Sequence, residues 1–167
     1  LNAFLPLYPV MVVLPIPHFR WLIYMDEESG ELSSRRKSPV TGSIYSAFPE
    51  LYKIKNHLTN PNLSFAFPLI DMDEYRLLSG TGRGKRRRGS RYDRMPLSLY
   101  DEILLERPED FIQVIPYELE EPFTVKDFAK AAHIKRDLAQ ITLHILHSME
   151  LVSRLGKRGR EYLYEVK

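Results

Sequence analysis

The chain has 167 residues, of which 44% are hydrophobic and 11% aromatic, and its formal net charge is +2. This composition can build a packed core and excludes a wholly disordered chain, and the length suits one domain or two small ones. Cysteine is absent, which excludes disulfides, thiolate metal sites and thiol nucleophiles. The apolar run Val10 to Ile16 is far shorter than the roughly 20 residues that a membrane span requires. We therefore expect a cytoplasmic protein without a membrane segment.

Basic residues are concentrated in two segments. Residues 83–94 hold seven basic side chains against Asp93 alone, and residues 151–167 hold five against two acidic ones. The remainder of the chain is net acidic. An acidic body with two basic segments is typical of a phosphate-binding surface, although a solvated loop and a solvated hairpin produce the same pattern. Both segments are therefore candidate nucleic-acid contacts.

The N-terminal segments predict a short helix and two strands. Leu1 to Leu7 has the pattern of the last turns of an amphipathic helix, and Val10 to Ile16 that of a strand buried on both faces. Trp21 to Met25 follows as a second strand, so a hairpin is predicted. A strand as apolar as Val10 to Ile16 needs neighbours on both sides. We therefore expect this chain to be the C-terminal portion of a longer protein and to show no hydrolytic activity alone.

The middle of the chain predicts a helix, a strand and a basic loop. Apolar residues recur at spacings of three and four from Ile44 to Leu58, and Pro49 places the start of the helix near Phe48. Leu63 to Ile70 predicts a strand that continues toward Leu78. Residues 80–94 are predicted as a basic loop, because glycine and charge dominate its first part. Its candidate DNA-binding residues are Arg83, Lys85, Arg86, Arg87, Arg88, Arg91 and Arg94.

The segment Phe123 to Lys167 opens with the signature of a helix start. Thr124 and Asp127 have the spacing of a reciprocal capping box, which predicts a helix from Val125 to Ala132. The turn after this helix passes through His133. Histidine tolerates the left-handed backbone conformation that such turns commonly adopt better than most residues do.

A second helix and a hairpin complete this segment. At 100° per residue, a helix over residues 136–150 places Leu138, Ile141, Thr142, Ile145, Leu146 and Met149 on one face and polar residues on the other. Residues 151–155 and 161–166 alternate apolar and polar side chains around the sequence Gly-Lys-Arg-Gly, which predicts a hairpin with a cationic tip.

The order helix, turn, helix and basic hairpin resembles the winged helix-turn-helix family. The resemblance implies that the chain binds double-stranded DNA, with the second helix in a groove and the hairpin on phosphates. The candidate DNA-binding residues here are Lys135, Arg136, Gln140, Leu143, His147, Arg154, Lys157, Arg158 and Arg160. Winged helices also bind proteins, so a protein-interaction module is an alternative.

Further segments resemble an uncharacterised bacterial family of restriction-endonuclease-like proteins that carry a C-terminal winged helix. They are Val10 to Ile16, Arg20 to Tyr24, Arg35 to Pro39, Pro61 to Leu63, Asp73 to Arg76 and Gly89 to Arg94. The resemblance implies that metal-binding acids and a Glu-x-Gln or Glu-x-Lys motif lie upstream of Leu1. The second alternative is therefore the DNA-binding part of a metal-dependent nuclease, with the catalytic residues unknown.

One acidic cluster lies inside the chain. Asp71, Asp73 and Glu74 follow a predicted strand and are weak candidates for a hard cation such as Mg²⁺, which a nuclease would use. A solvated strand end with Arg76 as the ion-pair partner accounts for the same residues more simply. We expect no cofactor within this chain otherwise.

These observations predict an α+β protein with two parts. Residues 1–116 form a mixed α/β sheet domain, which the second resemblance implies is an incomplete restriction-endonuclease-like core. Residues 117–122 form a linker, and residues 123–167 form the winged helix-turn-helix. Double-stranded DNA is the expected partner. An N-terminal region of the same protein and a second copy of the chain are further candidate partners.

Overall fold

A computed structural model describes residues 1–78 and 89–167, and its elements confirm an α+β fold. The helices and strands, in chain order, are β1 (Val10–Val13), β2 (Ile16–Asp26), β3 (Arg36–Lys37), α1 (Phe48–Lys53), β4 (Leu63–Leu78), β5 (Gly89–Leu105), α2 (Val125–Ala131), α3 (Arg136–Ser148), β6 (Val152–Arg158) and β7 (Glu161–Val166). Short 3-10 helices span Ile44–Ala47, Lys55–His57 and Pro108–Val114. The chain forms two compact units. Unit 1 comprises Leu1–Leu14, Ile44–Phe67 and Ile103–Lys167, and unit 2 comprises Pro15–Ser43 and Pro68–Glu102.

Unit 1 is built around a core of phenylalanine rings. Phe48, Phe65, Phe111 and Phe128 are all essentially inaccessible to solvent. The ring of Phe111 packs edge-on against Phe48 at 6.5 Å and against Phe65 at 5.8 Å, the arrangement that aromatic quadrupoles favour. In the same unit β1 pairs in parallel with the start of β4, with Val10 opposite Leu63.

The C-terminal part of unit 1 contains two helices and an antiparallel hairpin. Asp127 N donates to Thr124 Oγ1 at 3.2 Å and Thr124 N donates to Asp127 Oδ2 at 2.9 Å, so the predicted capping box at the start of α2 is confirmed. His133 has a φ of 53°, which confirms the left-handed turn before α3. β6 pairs with β7, and Phe123 forms an antiparallel bridge with Tyr164 of β7.

Unit 2 is a sheet centred on the second half of β4. β2 runs parallel to β4, from Ile16 opposite Leu69 to Asp26 opposite Leu78, and β3 pairs antiparallel with β2. β5 also pairs with β4. A bulge in β2 places His18 and Phe19 beside Asp71, whose Oδ1 accepts hydrogen bonds from both residues. One carboxylate therefore holds the bulge in shape.

Three predictions about the N-terminal segments are wrong. Leu1 to Leu7 forms hydrogen-bonded turns rather than a helix. β1 ends at Val13. It has one exposed face, since Met11 and Val13 are each 55% exposed. The apolar run is therefore not buried on both faces. β1 and β2 do not form a hairpin, since both pair in parallel with β4.

The prediction of a basic loop is wrong for residues 89–94. These residues belong to β5, because the strand begins at Gly89, while Arg83, Lys85, Arg86, Arg87 and Arg88 lie outside the described residues. The strand continues without interruption to Leu105.

Further boundaries differ in smaller ways. The predicted helix over Ile44 to Leu58 begins its α-helical part at Phe48, as expected, but ends at Lys53. The turn of the C-terminal hairpin lies at Gly159 and Arg160, because β6 extends to Arg158. The predicted linker over residues 117–122 falls inside unit 1, and the domain boundary there stays a prediction. No helix in the described ranges is long and apolar enough to cross a membrane.

We predict that Thr124→Val lowers the free energy of unfolding by about 1 kcal/mol, because valine keeps the branched shape but cannot accept the hydrogen bond from Asp127 N. Thr124→Ser retains the hydroxyl and is expected to stay close to wild type. Thermal and urea unfolding followed by circular dichroism would measure both. Equal stability of the valine and serine variants would contradict a stabilising role of the cap.

Candidate nucleic-acid interface

A groove of about 260 Å³ lies in unit 1 between α3 and the C-terminal hairpin, and we call it the hairpin groove. Its lining comprises Val125, Arg136, Gln140, His144, Arg154, Arg160, Glu161, Tyr162 and Tyr164. Arg136, Gln140 and His144 follow one another at helical spacing of four residues, so they lie along one face of α3. The hairpin contributes arginines and tyrosines to the opposite wall.

Arg136 and Arg154 are held in place in the hairpin groove by an acidic and an aromatic neighbour. Arg136 Nη2 donates to Glu161 Oε1 at 2.6 Å. The guanidinium of Arg154 lies over the ring of Tyr162, 4.5 Å from its centre, in a cation–π contact. Arg160 is exposed and has no ion-pair partner among the residues that the structure describes. The groove therefore combines one neutralised arginine with two that keep their charge.

His144 lines the groove as a neutral side chain. Burial lowers its pKa below the ordinary value of histidine, and the charges of Lys55 and Arg154 lower it further. The Lys55 ammonium donates to Nε2 of His144 at 3.4 Å, which requires that nitrogen to be unprotonated. Tyr52 lies beside the same ring at 5.3 Å between centres. These neighbours from α1 and the following 3-10 helix cover α3 at His144.

Two of the predicted DNA-binding residues on α3 do not face the groove. Leu143 is fully buried, so its assignment to the DNA-facing side is wrong. The core-facing side of α3 comprises Ala139, Thr142, Leu143, Ile145 and Leu146, which rotates the helix relative to the predicted face. His147 is half-buried, and its Nδ1 lies 3.1 Å from the carbonyl oxygen of Val152. That contact fixes the chain between α3 and β6 rather than presenting the ring outward.

The remaining predicted residues of this segment are exposed. Lys135 precedes α3 without capping it, and Lys157 lies on β6 with its ammonium 4.9 Å from the ring centre of Tyr162. Arg158 turns away from the hairpin groove, since its Nη2 lies 3.5 Å from the carbonyl oxygen of Pro122 and its Nη1 lies 3.9 Å from Asp127 Oδ2. Of the predicted set, Arg136, Gln140, Arg154 and Arg160 are therefore brought together.

His144 and Tyr162 were missed as groove residues. The sequence could have predicted His144, because it follows Gln140 by four residues and so lies on the same face of α3. Tyr162 was harder to predict, because the side of a hairpin that faces a helix depends on how the two pack.

A second basic cluster lies in unit 2 and surrounds the carboxylate of Glu74, which is fully inaccessible to solvent. Arg76 Nη2 lies 2.7 Å from Oε1, Arg94 Nη2 lies 3.2 Å from Oε2, and Arg20 Nη1 lies 3.6 Å from Oε2. These arginine side chains are 31%, 32% and 20% exposed, so each reaches solvent. We call this group the Glu74 cluster.

The charge of Glu74 is stabilised by its partners. Burial by itself raises the pKa of a carboxyl, but hydrogen bonds and charges from Arg76 and Arg94 outweigh it, so the pKa lies below the ordinary value. The predicted DNA-binding residue Arg94 is therefore partly engaged inside the protein, whereas Arg91 is exposed on β5.

The three acidic candidates for a cation site are bound to separate partners. Asp71 contacts His18, Asp73 Oδ1 accepts from Arg35 Nε at 2.7 Å, and Glu74 contacts its arginines. Alternation along β4 sends Asp73 and Glu74 to opposite faces of the sheet. Among the described residues no group of three or more histidine, aspartate or glutamate side chains is placed to hold a metal ion. Magnesium dependence stays a prediction.

A family model matches the first part of the chain, and a relative aligns with nearly all of it. The family described as Domain of unknown function (DUF8091) matches residues 1–106. The chain belongs to this DUF8091 family. A protein of Treponema pallidum (strain Nichols), described as an uncharacterized protein, is 26% identical over 170 residues. That alignment covers 98% of the present chain and 64% of the Treponema protein, so the chain spans less than two thirds of that relative. No solved structure matches the chain.

The two basic sites fall on different sides of the DUF8091 boundary. The Glu74 cluster lies within residues 1–106, and the hairpin groove lies beyond them. The DUF8091 region therefore carries its own concentration of arginines.

We predict that Glu74→Gln lowers the free energy of unfolding by on the order of 2–4 kcal/mol, because it leaves Arg20, Arg76 and Arg94 without their shared counter-charge. Glu28→Gln removes the same charge from an exposed turn and is expected to change stability by less than about 0.5 kcal/mol. Urea unfolding followed by the fluorescence of Trp21, the single tryptophan, would measure both.

A comparison of wild type with Glu74→Gln at several pH values tests the pKa of Glu74. A pKa that is lower in the folded than in the unfolded chain contributes stability above the unfolded pKa, and this contribution is lost as the pH falls through the folded pKa. The difference between wild type and Glu74→Gln should therefore shrink as the pH is lowered from about 7 to about 3. A difference that stays constant over this range would contradict the lowered pKa.

Proposed function

We propose that this protein binds double-stranded DNA through the hairpin groove. The observation that carries the proposal is the convergence of Arg136, Gln140, Arg154 and Arg160 from α3 and the hairpin on one concave surface. Arginine and glutamine have the donor geometry that reads guanine and adenine edges in a major groove, and arginine also binds phosphates.

The order of elements supports this proposal. α2, the turn at His133, α3 and the β6–β7 hairpin follow the order of a winged helix-turn-helix, in which the second helix enters the major groove. An isolated antiparallel bridge joins Phe123, which precedes α2, to Tyr164 of the hairpin. The hairpin carries Lys157, Arg158 and Arg160 at or near its turn, where they suit phosphates.

The first turns of α3 are the part available for base contacts. Arg136 and Gln140 are exposed, whereas His144 is flanked by Tyr52 and Lys55. The guanidinium of Arg136 already donates to Glu161 Oε1 at 2.6 Å. Gln140 is therefore the side chain best placed to read bases. The proposal therefore assigns sequence preference to Gln140 and general affinity to the hairpin cations.

The proposal also includes the cellular compartment. Bacterial DNA lies in the cytoplasm, so a DNA-binding role implies that compartment. Two alternatives make different predictions. A protein-interaction module predicts no DNA affinity, whereas the DNA-binding part of a longer nuclease predicts magnesium-dependent cleavage by that longer protein.

We predict that the full chain binds short duplex DNA with an affinity that falls steeply as salt rises, because each phosphate contact releases counterions. The logarithm of the association constant should fall by about 0.9 per contacted phosphate for each tenfold increase in salt. Fluorescence anisotropy of a labelled duplex at several salt concentrations would measure this. Absence of binding at low salt would rule out the proposal.

We predict that Gln140→Ala changes the relative affinity for different duplex sequences, by ~1–3 kcal/mol at the contacted base pair. Arg160→Ala should weaken all sequences alike, because a phosphate contact carries no sequence information. Lys126→Ala removes an exposed cation of α2 that does not line the groove, and it serves as the matched control. If Arg160→Ala and Lys126→Ala behave alike, the hairpin groove is not the contact surface.

A further inference from the structure

The Glu74 cluster extends across one face of the sheet in unit 2. Leu22 of β2 is paired with Glu74 of β4 on one side and with Arg36 of β3 on the other. Directly paired residues point to the same face of a sheet, so Arg36 and Glu74 share a face, about 10 Å apart across two strand spacings. Arg20 and Arg76 share it by alternation from Leu22 and Glu74. We call this surface the arginine face.

The arginine face carries more positive charge than its internal acid can offset. Arg76 and Arg94 each hydrogen-bond a different oxygen of Glu74 and together satisfy its carboxylate. Arg20, at 3.6 Å, contributes an ion pair without a hydrogen bond. Arg36 is exposed and has no ion-pair partner within the described residues. The charges of these two arginines, one beside Glu74 and one about 10 Å from it, are thus not offset by the carboxylate.

Stability alone does not explain this surplus. Guanidinium groups repel one another, and a buried carboxylate needs only enough partners to meet its charge and its lone pairs. Each guanidinium also has more N–H donors than one shared carboxylate can accept. Arg20, Arg76 and Arg94 are partly exposed to solvent, and their contacts with Glu74 restrict their motion. This restriction lowers the conformational entropy that these side chains lose when an anion binds.

We propose that the arginine face binds phosphate groups of a nucleic-acid backbone. The guanidinium fork matches phosphate oxygens, and cations spread over about 10 Å suit several phosphates of one strand better than a single small anion. The proposal extends the DNA-binding function and rests on it for the source of the phosphates. The site itself uses only residues of unit 2 and is separate from the residues of the hairpin groove.

Neighbouring residues of β3 provide a matched test. Arg36 shares the face of Glu74, whereas Lys37 is paired with Trp21 and lies on the other face, with its ammonium over the ring of Phe19 at 3.3 Å. Arg36→Gln and Lys37→Gln therefore remove the same charge, one residue apart, from opposite faces. Arg20→Gln removes a second cation and leaves both hydrogen-bonded partners of Glu74 in place.

With a labelled duplex as the probe, Arg36→Gln and Arg20→Gln should each lower affinity about 3- to 10-fold and reduce the salt slope by about 1. Lys37→Gln should change affinity less than twofold. Trp21 fluorescence and circular dichroism would confirm that all three variants fold. Equal loss in Arg36→Gln and Lys37→Gln, or no loss in Arg36→Gln and Arg20→Gln, would overturn the proposal.

Failure of this inference can be told apart from failure of the proposed function. If Arg160→Ala weakens duplex binding but Arg20→Gln and Arg36→Gln do not, only the arginine face is wrong. If the wild type binds no duplex, titration with inorganic phosphate, followed by the NMR signals of the arginine Nε–Hε groups, tests the site directly. Shifts at Arg20, Arg76 and Arg94 that disappear in Arg20→Gln would identify a site for free phosphate and overturn the assignment to a nucleic-acid backbone.

Discussion

The buried carboxylate of Glu74 must keep a counter-charge, and unit 2 is arranged to supply one. An ionised carboxylate inside a sheet is costly unless it is paired and hydrogen-bonded. Its arginine partners come from three strands, Arg20 from β2, Arg76 from β4 and Arg94 from β5. The cluster therefore links the strands through side chains as well as through backbone hydrogen bonds. Loss of this single acid would turn a stabilising cluster into a group of repelling cations.

In unit 1 the groove depends on apolar packing instead. Phe123 and Phe128 approach at 6.3 Å between ring centres, and the ring of Tyr45 meets Phe128 edge-on at 6.0 Å. Burial raises the pKa of Tyr45 to about 12, and its hydroxyl donates to the carbonyl oxygen of Val114 at 2.6 Å. Because Phe123 also bridges Tyr164, the same core positions the hairpin beside α3.

The features that could be predicted from the sequence depend on near neighbours. The capping box of α2 and the left-handed turn at His133 each involve residues within one turn, so local patterns were sufficient. The buried position of Leu143 was not predictable from the helical spacing alone. Both α1 and α2 pack on α3, so they cover a wider side of this helix than the predicted apolar face. The Glu74 cluster required the parallel register of β2 and β4, which no local pattern specifies.

A net charge of +2 understates the basic character of both surfaces, because each includes an acid that organises its arginines. Glu161 holds Arg136 in the hairpin groove, and Glu74 holds Arg20, Arg76 and Arg94 in unit 2. An internal acid lowers the net charge of a site but restricts its cations to one geometry, so less entropy is lost when a phosphate binds. The ordering of the arginines therefore compensates for part of the positive charge that each acid offsets, and the position of the acids is as informative as the number of cations.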